Sequence, residues 1–177
     1  MRYHLGLGSN LGEPRNNLAR ARRLLGQNGI RIVRASSLYR TQPVGMTNQP
    51  WFLNQALEVS TSLRPLELLR RLKKIEKEMG RTIGVVHGPR LIDLDILLAG
   101  EIVLKTPRLT VPHPELHKRN FVLGPLAEIA GETVHPLLKS TIRSLFKKSR
   151  DRSAIRRLER GGKDSIIGGK KPADAMG

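Results

Sequence analysis

The sequence predicts an α+β fold, a sheet with helices packed on its faces. Three observations predict it. Strand-like and helix-like segments alternate in an uneven order with hairpin-like connections, not as a strict βαβ repeat. Two segments carry a clear helical period. The chain has 177 residues, enough for one domain with a real core and too few for two ordinary ones.

Taken in order, Arg2 to Leu7 reads as a strand, Gly8 to Glu13 as a turn, and Pro14 to Gln27 as a helix with Leu18, Ala21 and Leu25 on one face. Ile30 to Tyr39 reads as a second strand. Thr41 to Pro50, TQPVGMTNQP, is a long loop by its Pro, Gly and Asn content. Phe52 to Thr61 alternates as a third strand. Pro65 to Met79 is the clearest helix, with Leu68, Leu72, Ile75 and Met79 at helical spacing and Pro65 tolerated in the first turn. After a loop from Arg81 to Arg90 comes the apolar strand LIDLDILL, with Ile102 to Leu104 as its expected hairpin partner across Ala99 to Glu101. Thr110 to Asn120 is loop-rich, a helix follows from about Val122 to Ala130, and Thr141 to Lys148 forms another. Residues 1–149 are expected to form one catalytic domain. Residues 150–177 are expected to form a basic, flexible tail, most clearly from Gly161 to Gly177.

Composition excludes several chemistries. There is no cysteine, hence no disulfide, zinc-thiolate site, iron-sulfur cluster or thiol nucleophile. No apolar run has the length of a bilayer-spanning helix and the start lacks a long hydrophobic leader, so a cytoplasmic location is expected. The net charge is +17. From Arg150 onward there are eight basic and four acidic residues, so +4 belongs to the tail and +13 to residues 1–149. A basic core suits any polyanion, a nucleotide triphosphate included, and the few aromatics leave little for base-stacking platforms.

Between the first strand and helix, GLGSNLG (Gly6 to Gly12) imitates a dinucleotide-binding fingerprint but fails it. Its spacing is one residue too long, and no acidic residue lies between Glu13 and Glu58 to hold a ribose. No Gly-Lys-Ser or Gly-Lys-Thr marks a P-loop either. A tight turn and helix start, with Ser9 and Asn10 satisfying backbone donors, is the favoured reading.

Asp93 and Asp95 break the apolar strand. With a side-chain period of two, both carboxylates share one face while Ile92, Leu94 and Ile96 take the other. Taken alone, the pair fits a solvated strand face better than a site. The alternative is a divalent cation, since neighbouring carboxylates repel unless positive charge sits between them. Magnesium fits that reading, because it takes oxygen ligands from one or two carboxylates and from substrate phosphates. Arg81, Arg90, Arg108, His113, Lys118 and Arg119 lie in loops at nearby strand ends. Each alone is an ordinary surface charge, yet together with a metal they make an ATP-handling reading coherent.

These residues also carry a family resemblance. LGLGSNLG, SSLYRTQPVG, QPWFLNQALEV, IEKEMGR, GPRLIDLDILL and RLTVPHPELHKRNFVLGPLAEIA, in this order over roughly residues 3–148, resemble the 6-hydroxymethyl-7,8-dihydropterin pyrophosphokinases of the folate pathway. The resemblance implies a ferredoxin-like α+β fold and transfer of pyrophosphate from ATP to the pterin hydroxymethyl group, releasing AMP. It implies two Mg²⁺ ions held by Asp93 and Asp95, with Arg81 and Arg90 assisting transfer at the phosphates. Arg90, Arg108, Thr110, His113 and Arg119 match the ATP-binding positions. Phe52 and Phe121 match the two positions that stack on the pterin, whose polar edge is read by Asn54 and the backbone from Thr41 to Val44. Flat heteroaromatic rings do gain from offset stacking, although periodicity alone places both phenylalanines in the core.

One departure stands out. Where most members carry a basic residue and commonly Trp before Gly-Pro-Arg, this chain has Val86 and His87, in a loop one residue short that resembles a mobile lid. A weaker nucleotide grip is expected. The chain is expected to act on ATP and pterin as a monomer, with no membrane or nucleic-acid partner. The alternative is a basic RNA-associated module on the same fold, against which Asp93 and Asp95 would repel a phosphate backbone in the absence of metal.

Overall fold

The structure is a computed structural model and describes residues 1–81, 84 and 86–159, together with the backbone of 164–168. Its frame is an antiparallel sheet of β1 (Arg2–Ser9), β2 (Arg31–Ala35), β3 (Tyr39–Thr41), β4 (Phe52–Ser60), β5 (Asp93–Leu98), β8 (Ile155–Leu158) and β9 (Asp164–Gly168). The order runs β5-β1-β4-β3-β8-β9, with β2 also pairing β4. β2 takes the half of β4 from Leu57 to Ser60 and β3 the half from Phe52 to Asn54.

Alternation in β1 decides the layers. Tyr3, Leu5 and Leu7 point to the face covered by α1 (Pro14–Gln27) and α2 (Pro65–Glu78), where they bury against Leu18, Leu25, Leu68, Leu72 and Ile75. Each such side chain removed from water contributes about 1.5–3 kcal/mol. The opposite face is covered by α3 (Asn120–Ala130) and α4 (Ile142–Lys147), whose Leu123, Leu126 and Ile142 pack with Ala56 and Leu97. α2 is opened by the Glu67 carboxylate, which accepts the Arg64 N–H at 2.8 Å. It is closed by Gly80 at φ +90, a conformation other residues adopt only with strain.

The expected elements are present with three corrections. The strand expected from Ile30 to Tyr39 is two, because the chain breaks at Ser36, whose hydroxyl accepts the Ala56 N–H at 2.9 Å while its own N–H donates to the Ala56 carbonyl. The hairpin expected between the aspartate strand and Ile102–Leu104 does not form. Ile102 closes a turn onto Ala99, β6 (Leu104–Lys105) pairs instead with β7 (Thr110–Val111), and the Leu97 carbonyl accepts from the His113 N–H. Finally, the tail expected from residue 150 is folded through 159, since β8 pairs the open edge of β3 and Ile155 is fully buried. Most of Gly161–Gly177 lies outside the described residues. Among the described residues, no helix is long and apolar enough to cross a membrane.

Candidate active site

The face of the sheet toward α3 holds a cleft, and its floor explains the glycines of the first strand. Gly8 stands opposite Asp93 on one side and Asn54 on the other, and Gly6 opposite Asp95 and Ala56. With no side chain from β1, the two carboxylates and the Asn54 amide look onto one open floor. A Cβ at Gly8 would stand 2.6 Å from Asn54 Oδ1. Gly8 therefore belongs with Gly6 to the strand and the cleft, not to the turn expected from Gly8 to Glu13.

Asp93 and Asp95 project together into this cleft, away from Leu94 and Ile96, as period two requires. Asp93 is gripped by two guanidinium groups, Arg81 at 2.9 Å and Arg90 at 3.0 Å. Arg81 also bridges to buried Glu76 at 2.8 Å, and Glu76 accepts the Leu94 N–H at 2.8 Å. Burial opposes the Arg81 charge, but Asp93 and Glu76 outweigh it and raise its pKa. Burial first, then the neighbouring Asp93 charge, pushes the Asp95 carboxyl up to about 7.

Arg90 is set from two sides. Asn10, itself buried, accepts the Arg90 N–H at 2.8 Å and donates to Gln49 and Pro50, while Gln49 donates to the His87 carbonyl. The Arg90 guanidinium lies 5.8 Å from the Phe52 ring centre, and Arg119 lies 5.6 Å from that of Phe121. Asn54 donates to Thr41 Oγ1 at 2.5 Å. His113 has its pKa lowered by burial and then by Arg119, and its Nδ1 accepts the Glu115 N–H at 3.1 Å. The neutral ring thus carries its proton on Nε2, where it can donate.

Thr41, Val44, Phe52, Asn54, Arg90, Asp93, Asp95, His113, Arg119 and Phe121 all line this one cleft, with Arg81 joined to it through Asp93. Arg108 and Thr110 do not. Arg108 is exposed on the turn between β6 and β7, and Thr110 is paired with Lys105. Val86 is 78% exposed, whereas His87 lines the cleft and packs near Gly45. Sequence reasoning missed Gly6, Gly8, Asn10, Gln49 and Glu76 as parts of the site. The strand period offered a signal for the two glycines, and a buried acid inside a helical apolar face offered one for Glu76.

The fold and this site define a class: an α+β protein with paired carboxylates, arginines and two aromatic rings around one cleft, suited to an anionic substrate and a flat ring. Comparison makes the class particular. Residues 4–131 match the model of the 7,8-dihydro-6-hydroxymethylpterin-pyrophosphokinase (HPPK) family, and the chain belongs to that family. It is 48% identical over 127 residues to the 2-amino-4-hydroxy-6-hydroxymethyldihydropteridine pyrophosphokinase of Bacillus subtilis (strain 168), covering 71% of this chain and 76% of that one. It is 42% identical over 165 residues to the mitochondrial folate synthesis bifunctional protein of Pisum sativum, covering 93% of this chain and 32% of that protein. The chain thus spans about a third of the length of that bifunctional relative. In fold it is similar to the Plasmodium falciparum HPPK-DHPS with pteroate, at a TM-score of 0.70 and 17% identity over 94% of this chain and 47% of that one.

Proposed function

We propose that this chain transfers pyrophosphate from ATP to the hydroxymethyl group of 6-hydroxymethyl-7,8-dihydropterin, releasing AMP, as a step of folate biosynthesis. The observation that carries the reading is the shared cleft: Asp93 and Asp95 over the Gly6–Gly8 floor, with Arg90 beside them and Phe52 and Phe121 in the same lining. The pterin hydroxyl oxygen forms a bond to the β-phosphorus, and the bond from that phosphorus to the α-phosphate oxygen breaks. The electron pair leaves with AMP, and the hydroxyl proton passes to solvent.

Phe52 and Phe121 hold the pterin ring, and Asn54 with the backbone from Thr41 to Val44 reads its amide-like edge. Arg90, His113 and Arg119 take the triphosphate, with Arg108 and Thr110 as outer nucleotide contacts. Arg81 and Arg90, now turned to Asp93, supply the charge that the phosphates need during transfer. The side chains present fit magnesium: two carboxylates with hard oxygen ligands share a face, and burial keeps Asp95 hungry for positive charge. Two ions held by Asp93 and Asp95 would supply charge neutralisation and alignment at the phosphates.

The strand order β5-β1-β4-β2 with α1 and α2 as crossovers supports the ferredoxin-like reading of the frame. A monomeric, cytoplasmic protein with residues 1–149 as the catalytic unit completes the proposal, as amended by the folded segment through 159. The RNA-associated alternative finds no support in the relatives. Incubation with ATP, magnesium and the pterin should yield AMP and the pterin diphosphate in equal amounts. Release of ADP, or AMP formation indifferent to the pterin, would overturn the reading.

A further inference from the structure

The segment after α4 bridges the two walls of the cleft. On one side, the Gln42 N–H donates to the Ala154 carbonyl and the Ala154 N–H to Gln42 Oε1, both at 3.0 Å. Ile155 lies in register with Thr41, which lies in register with Phe52. On the other side, Asp151 Oδ2 accepts the Asn120 N–H at 2.8 Å and the Asp151 carbonyl accepts from Asn120 Nδ2 at 3.0 Å. Asn120 is only 4% exposed and stands between Arg119 and Phe121. Asp151 Oδ1 is itself fixed by the N–H and hydroxyl of Ser153 at 2.8 and 2.6 Å. A third contact ties the same parts, since a Cβ at Gly124 would stand 2.5 Å from Ile155 Cδ1. Gly124 lies one helical turn beyond Phe121, so its bareness lets that wall close on β8.

We propose that Asp151–Ile155 is a positioning clamp that sets the separation of the Phe52 and Phe121 walls and thereby the affinity for the pterin ring. The proposal rests on the pterin reading above. Asp151 lies outside the lining of the cleft, so it acts through Asn120 and not by touching substrate. Stacking on a flat ring depends steeply on the gap between two aromatic walls, and a second tie from β3 to α3, the Tyr39 hydroxyl donating to Glu128 at 2.9 Å, lies about two helical turns beyond Phe121. The segment is hydrogen-bonded to both walls.

The test is direct binding of 6-hydroxymethyl-7,8-dihydropterin, followed by its fluorescence, to the full chain carrying Asp151→Ala or Ser153→Ala. Thermal melting and magnesium-ATP binding are followed alongside. Asp151→Ala should weaken pterin binding on the order of tenfold, as misplacement of a binding wall does. Ser153→Ala should shift it in the same direction by less, and ATP affinity should change less than pterin affinity in both. A lowered melting temperature with pterin affinity unchanged would make the segment merely structural and overturn the clamp. Should Asp151→Ala fail to fold, unaltered pterin affinity in Ser153→Ala overturns the proposal by itself. Wild type is measured first: a chain that binds no pterin would overturn the functional reading, and the clamp with it.

Discussion

Gly8 and Asn54 face each other across β1 and β4 so closely that a Cβ on the glycine would stand 2.6 Å from the amide oxygen. Gly8 does not have a positive φ, so the demand is for space and not for backbone freedom. Gly8→Ala should displace Asn54 from Thr41 and intrude on the floor. The expected cost is about 1–3 kcal/mol of stability, typical of overpacking, with a KM for pterin raised more than that for ATP. Steady-state kinetics with each substrate varied, together with urea denaturation, checks both.

Glu76 should be a structural support of the arginine-aspartate pair. It is 4% exposed, accepts the Leu94 N–H and bridges to Arg81. Glu76→Ala leaves a buried N–H and a partly buried guanidinium without this partner, at an expected cost of about 3 kcal/mol. Chemical denaturation of the variant measures it, and activity should fall further than the unfolded fraction explains, because Arg81 loses one of its two anchors.

Arg90 should not tolerate lysine. Its guanidinium serves Asp93 and the face of Phe52 together, and a lysine ammonium lacks the planar fork for both. Arg90→Lys should lower kcat/KM for ATP by about 10- to 100-fold, roughly 1.4–2.7 kcal/mol of transition-state stabilisation, with little loss of thermal stability.

Acid sensitivity should reside partly in His4. Burial, with Arg34 and Arg2 adding to it, lowers its pKa below the ordinary value in spite of Glu58, and its buried Nδ1 has no hydrogen-bond partner among the described residues. The unfolded chain therefore takes up the proton first. Stability from the neutral ring is complete above the unfolded pKa and is lost as pH falls from there toward the lower folded value. Replacing His4 with Phe should reduce the drop in melting temperature between pH 7.5 and 5.5, a range chosen to span about 6.5, while His113 and His135, also lowered, keep some of it.

Val86 tests the altered loop. It is 78% exposed, so Val86→Arg should leave stability within about 0.5 kcal/mol. Magnesium-ATP affinity should rise if a missing charge weakens the grip; calorimetric titration showing no change would refute that account.

What the sequence made legible was periodic. The 3.6-residue spacing of Leu68, Leu72 and Ile75 marks α2, and the alternation around Asp93 and Asp95 marks which face they share. What it hid was long-range or spread over few residues. Asn10 meets Arg90 eighty positions away, and no local pattern announces that hydrogen bond. β8 is a four-residue strand with two arginines, which reads as a solvated tail until the open edge of β3 supplies its partner. The expected hairpin gave way to a local competitor, since Leu104 and Lys105 pair with Val111 and Thr110 across a turn that Thr106 closes on Leu109. Arg108, expected from its loop at a strand end and from the resemblance, and Thr110, expected from the resemblance alone, lie outside the cleft lining, which gathers ten of the other eleven expected residues, with Arg81 joined to it through Asp93.

The most direct measurement of the central claim is magnesium-dependent AMP release from ATP, with and without 6-hydroxymethyl-7,8-dihydropterin, by wild type and by Asp95→Ala. Pterin-dependent AMP from wild type, lost by about 10³-fold in a variant that still melts cooperatively, is the predicted result. Equal turnover by both would contradict the assignment of Asp95, and no pterin-dependent AMP from either would contradict the function itself.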